Sequence, residues 1–192
     1  MENNSVKSAI LKSIVLLALG AVVVVGLYFM FVGSKKSPEE EQYNLTAVDE
    51  ITTTNLEKNY PANPRMVVEL YAKTMHVLYK EEYTEGQQDK MLYVLKGIMD
   101  DELLGQQVNF SKSMKNEIAE RKEGDYSISN YLVQNTEPDV VTVSGKKMCT
   151  VQCLFSLRIG KSGTVANYYN FILRQDDEKR WKILGWDVQT KQ

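Results

Sequence analysis

Residues 147–159 read KMCTVQCLFSLRI, with an apolar residue at nearly every second position. Cys149, Val151, Cys153, Phe155, Leu157 and Ile159 fall on one side of an extended chain, and Met148, Thr150, Gln152, Ser156 and Arg158 on the other. A period of two marks a β-strand with one face in a core and one toward solvent. The pattern continues downstream. GKSG (160–163) is a turn, TVANYYNFILRQ (164–175) runs back, DDEK (176–179) turns again, and RWKILGWDVQ (180–189) returns. Upstream, SISNYLVQNTE (127–137) and DVVTVSG (139–145) supply one or two further strands. The C-terminal part is therefore an antiparallel meander.

The two cysteines of this strand cannot bridge each other. Four strand steps span about 13 Å, roughly twice the Cα separation that a disulfide tolerates. Nor do they have two further Cys or His that would complete a structural zinc site. They read as small buried apolar side chains. In the last strand, strict alternation sends Trp181 and Ile183 to one face and Leu184, Trp186 and Val188 to the other, with Gly185 a bulge or a point of close packing. A strand apolar on both faces is covered on both. In 164–175, alternation groups Asn167 with Val165, Tyr169, Phe171 and Leu173, and Asn170 with Ala166, Tyr168 and Ile172. A buried Asn there ties the sheet together or binds a ligand.

Ahead of the meander the period becomes helical. In residues 63–83, Asn63 caps, Pro64 suits the first turn, and Val67, Leu70, Tyr71, Thr74 and Leu78 share a face. Residues 85–107 carry Met91, Val94, Leu95, Ile98 and Met99 at helical spacing, then a short helix from Asp100–Asp101 with Leu103 and Leu104. Residues 109–124 place Phe110, Met114 and Ile118 on one stripe and stop at Gly124. Helices followed by an antiparallel sheet give an α+β fold.

The N-terminal part is of another kind. Ile14 to Val32 holds no charge; as a helix it is about 28 Å long, close to the hydrocarbon thickness of a bilayer. It is too long for a signal-peptide core, no lipidatable cysteine follows, and the short tail 1–13 ahead of it favours an uncleaved anchor with the N-terminus inside. The expected organisation is a cytoplasmic tail 1–13, a transmembrane helix 14–32, a polar linker 33–53 and an extracytoplasmic α+β domain 54–192. Net charge is -2, from 23 Lys and Arg against 25 Asp and Glu; no basic face forms, so nucleic acid is a poor partner. The sequons Asn44-Leu45-Thr46 and Asn109-Phe110-Ser111 read as ordinary surface residues. No phosphate loop, metal motif or nucleophile elbow is present in the sequence, and no cofactor is expected.

Helices first, then long antiparallel strands closing on RWKILGWDV (180–188), resembles the nuclear transport factor 2-like superfamily, in particular its small membrane-anchored bacterial members. The resemblance covers about residues 50 to 190. The helix near Phe110 to Glu123 ahead of the main strands departs from the usual pattern. The resemblance implies a curved sheet wrapped round helices into a cone. It also implies that a catalytic member would hold a carboxylate or histidine base inside that cone. Here the one histidine is His76, aligned with Ala72, Tyr79 and Tyr83; a lone histidine on a half-polar stripe reads as a rim residue. Its carboxylate partner would be Asp187. Pocket candidates are therefore Tyr71, His76, Asn167 and Asp187. The superfamily commonly dimerises through an aromatic sheet face, which makes Tyr168, Tyr169 and Trp186 the interaction candidates. The leading expectation is a non-catalytic module binding a protein partner or a second copy. The alternatives are a small-ligand or enzymatic cone pocket, and a scaffold subunit of a secretion or conjugation apparatus.

Overall fold

Ser144 and Gly145 both take positive φ, 49° and 80°, the left-handed pair that a two-residue hairpin turn requires. They join strand β2 (Val141–Val143) to β3 (Lys146–Ile159). Gly160 and Gly163, at φ 49° and 114°, turn β3 into β4 (Thr164–Gln175). Before β5 (Trp181–Gln189), the Asp176 carboxylate accepts the backbone N–H groups of Glu178 at 3.0 Å and Arg180 at 2.8 Å. With β1 (Tyr126–Val133), the computed structural model, which describes residues 45–189, forms an antiparallel sheet ordered β1-β3-β4-β5. The short β2 lies beside the start of β3. Both upstream pieces, 127–137 and 139–145, thus contribute a strand.

Among the described residues, five helices precede the sheet: α1 (Ala47–Thr52), α2 (Pro64–Lys80), α3 (Glu85–Ile98), α4 (Asp101–Gly105) and α5 (Phe110–Glu123). Asn63 caps α2, accepting the Met66 N–H at 2.9 Å, with Pro64 at its first position. Thr84 and Gln87 make a reciprocal capping box on α3. The helical stripes read from sequence are largely buried, with Leu70, Leu103, Leu104 and Met114 half-buried and Val68, Ala72, Met75 and Val77 buried beside them. Val67, Leu78, Met91, Leu95 and Ile98 all lie at 2% exposure or less, facing Cys149, Val151, Cys153, Phe155, Phe171, Leu173 and Ile183 of the sheet. Helices packed on one face of an antiparallel sheet make the α+β class an observation. Both cysteines are free and buried, and burial pushes their thiols up, Cys149 to about 11 and Cys153 to about 12.

The first correction concerns the linker. Residues 47–52, expected within a polar linker ending at 53, form α1, capped by a Thr46–Asp49 box, and bury Val48 and Ile51 at 6% and 1%. The compact unit begins at Leu45 rather than near residue 54. One turn and a half of helix offers too few apolar repeats to register as a period, so caps and two side chains were the whole signal. The predicted membrane span, residues 14–32, lies outside the described residues. Among the described residues no helix is long and apolar enough to cross a membrane.

The second correction concerns β5. Leu173 pairs with Ile183 and Ile172 with Gly185, so Leu184 is an extra residue, a bulge. It resets the alternation. Trp186 pairs with Phe171 and faces the helices, on the same side as Trp181 and Ile183, instead of the opposite side. Asp187 moves outward in exchange, opposite Asn170.

The helical block is anchored to the β5 edge. Met99 forms a parallel bridge with Ile183, and the Asp100 N–H donates to the Ile183 carbonyl at 2.8 Å. Asp100, 6% exposed, caps α4 and receives two hydrogen bonds from Arg174, the Nε one at 3.0 Å. Arg174 Nη1 also reaches Glu102 at 2.9 Å. Burial works to raise the Asp100 pKa, but Arg174 and the Glu102 N–H outweigh it and hold the carboxyl low.

Candidate functional site

Between α2, α5 and the inner face of the sheet lies a cavity of about 260 Å³. Helix α2 contributes Tyr71, Met75 and Tyr79, one residue per turn. Helix α5 contributes Phe110, Ser113, Met114 and Glu117, the i, i+3, i+4, i+7 stripe of one helical face. The sheet contributes Ile128, Phe155, Tyr169, Phe171 and Trp186, while Met99 and Gln107 close the end near α4. The β5 bulge is what brings Trp186 here.

The wall is aromatic. Tyr71 meets Phe171 edge-on with ring centroids 5.1 Å apart, and Trp186 at 5.6 Å. Phe171 and Trp186 are 5.8 Å apart, and Phe155 meets Tyr169 edge-on at 5.3 Å. Trp186 is 38% exposed, so it sits at the rim. The Tyr79 hydroxyl donates to Glu117 Oε1 at 3.0 Å. Tyr71 is 7% exposed as a residue, and its hydroxyl opens to the cavity; among the described residues the buried polar side-chain atom without a partner is His76 Nδ1. Burial raises the Tyr71 and Tyr79 pKa values far above that of free tyrosine, with Glu117 adding to it, so both remain neutral donors.

Of the four pocket candidates, Tyr71 alone lines this cavity. His76 lies on α2 against Tyr131 of β1, with ring centroids 5.8 Å apart. Its Nδ1 is buried without a hydrogen-bond partner, and burial, then Lys80, lowers its pKa. Asn167 pairs with Phe155 on the inner face but does not line the cavity. Asp187 is exposed on the outer face, where its partner Asn170 meets Gln152 at 3.5 Å. The sheet separates His76 from Asp187, so no acid–base pair forms between them.

The interaction candidates divide in the same way. Tyr169 and Trp186 line the cavity, while Tyr168 faces outward in a row with Leu154, Leu132 and Gln189. No single surface holds all three. Sequence reading missed Tyr79, Glu117 and Phe155 as site residues. The stripe of α5 carried a usable signal, since Ser113 and Glu117 flank the apolar Phe110 and Met114 on one face.

A family described as a domain of unknown function, DUF6715, matches residues 1–186. The chain belongs to that family. No match is found among curated proteins. The DUF6715 match takes in the charge-free run 14–32, the described helices, the sheet as far as Trp186 and every cavity residue.

Proposed function

We propose that this DUF6715 chain is a membrane-anchored, non-catalytic binding module of the nuclear transport factor 2-like type, whose cavity receives a small ligand. The observation that carries the ligand reading is the aromatic-walled cavity of about 260 Å³, into which the Tyr71 hydroxyl opens. An open donor in an aromatic cavity is where a ligand's polar atom would be fixed. The helix-covered meander supports the superfamily reading. The run 14–32 supports a single-pass anchor, with the short tail 1–13 inside and the domain outside.

A protein partner or second copy is the second reading. It is favoured by the outer sheet face, where Leu132 and Val141 are 65% and 55% exposed.

Native mass spectrometry of the full chain, released gently from maltoside detergent, tests the ligand reading. The expected result is a chain carrying a small additional mass, absent from a Met75→Trp variant whose cavity is filled. A bare chain whose melting temperature no small amphiphile raises would sink it.

A further inference from the structure

Resting on that reading, we propose that the cavity is built for a small, multiply alkylated ammonium cation, free or presented as a lipid headgroup. Among the described residues, Glu117 is the one charged side chain in the wall, and no lysine, arginine or histidine lines it. Arg121 lies outside the wall, over the Tyr126 ring at 5.3 Å, although its charge is felt at Tyr79 and Tyr169. An anion would therefore meet a carboxylate and no base in the wall itself, and a purely apolar guest would need no carboxylate.

The rings supply the rest of the attraction. Tyr71, Tyr79, Tyr169, Phe171 and Trp186 surround the same space as Glu117. An aromatic face is negative at its centre, and it draws a cation lying within about 6 Å. Alkylation of the nitrogen follows from the composition of the wall. One carboxylate, which also accepts the Tyr79 hydroxyl at 3.0 Å, faces a wall otherwise mostly of rings and methionines, and alkyl groups on the nitrogen pack against such a wall where N–H donors would not. A quaternary nitrogen has none to satisfy. Size agrees, because about 260 Å³ falls just under the roughly 300–1,000 Å³ of pockets for drug-sized ligands. It fits a headgroup. The Tyr71 hydroxyl would then meet an oxygen carried a few atoms from the nitrogen.

The test titrates the full chain in maltoside with choline and with its neutral tert-butyl analogue, in which carbon replaces nitrogen. A Trp181→Phe background leaves Trp186 as the fluorescent reporter. Choline should bind about tenfold more tightly than the analogue, and Glu117→Gln should reduce that ratio several-fold without affecting the analogue. Reconstitution into phosphatidylglycerol vesicles, with and without phosphatidylcholine, separates the sources. A Trp186 response to phosphatidylcholine at lipid levels where free choline gives none assigns the headgroup; the converse assigns the free cation. Equal binding of choline and the analogue overturns the cation inference while the cavity reading survives. No response of Trp186 or of the melting temperature to either probe or either lipid overturns both.

Discussion

Deleting Leu184 should be tolerated, although removing one residue from the middle of a strand normally turns every later side chain to the wrong face. The reason lies in the pairing. Leu173 opposes Ile183 and Ile172 opposes Gly185, leaving Leu184 unpaired between them. Without it, Gly185 follows Ile183 directly and Trp186 still meets Phe171. Lost packing of a half-buried leucine amounts to about 1 kcal/mol, since full burial contributes roughly 1.5–3 kcal/mol. A deletion that instead turned Trp186 outward would forfeit far more. Trp186 is 38% exposed, so roughly three-fifths of a contribution of about 3–5 kcal/mol for a fully buried Trp, or some 2–3 kcal/mol, is at stake. Asp187 would also be driven against Phe171, adding about 1–3 kcal/mol for an unpaired polar group. Urea unfolding of the full chain in maltoside, with Trp181→Phe so that Trp186 emits alone, distinguishes the two. A loss near 1 kcal/mol with unshifted emission is expected. A loss above about 4 kcal/mol, with emission moved to the red, would refute pairing with Phe171 as the cause of Trp186's orientation.

Three other expectations follow from the packing. Asp100→Asn weakens a carboxylate that takes two hydrogen bonds from Arg174 and should cost about 2–4 kcal/mol, measured by urea unfolding near neutral pH. The native Asp100 pKa is depressed, so its contribution is complete above the unfolded value near 4 and disappears as pH falls through the lower native one. Stability curves between pH 5 and 2 should accordingly be flatter in the variant than in the parent, and identical slopes would contradict the assignment. Ile51→Ala should cost about 2–4 kcal/mol because Ile51 is 1% exposed; a cost below about 0.5 kcal/mol would return α1 to the linker. Gly145→Ala meets open space at its Cβ but sits at φ 80°, so a purely conformational cost of about 1 kcal/mol is expected from thermal melts. An unchanged melting temperature would mean that the hairpin turn relaxes.

The sequence by itself determined every element whose signal is periodic and local. Asn63-Pro64 starts α2, Gly124 ends α5, and the alternation of Cys149, Val151, Cys153 and Phe155 sets the inner face of β3, because each depends on a residue's own backbone preference or on neighbours a few positions away. Helix α1 escaped because its core contribution is two residues, Val48 and Ile51, whose burial exists only when α3 and the rest of the core are present. The faces of β5 were beyond sequence reading for a related reason. Gly185 hinted at a bulge, but whether a strand skips a residue depends on which register pairs best with β4, a comparison between non-local ladders. That single skipped residue put Trp186 into the cavity and Asp187 outside it. The cavity itself belongs to tertiary structure alone: it is the space that α2, α5 and the sheet fail to fill, and no local pattern encodes a gap between side chains far apart in the chain.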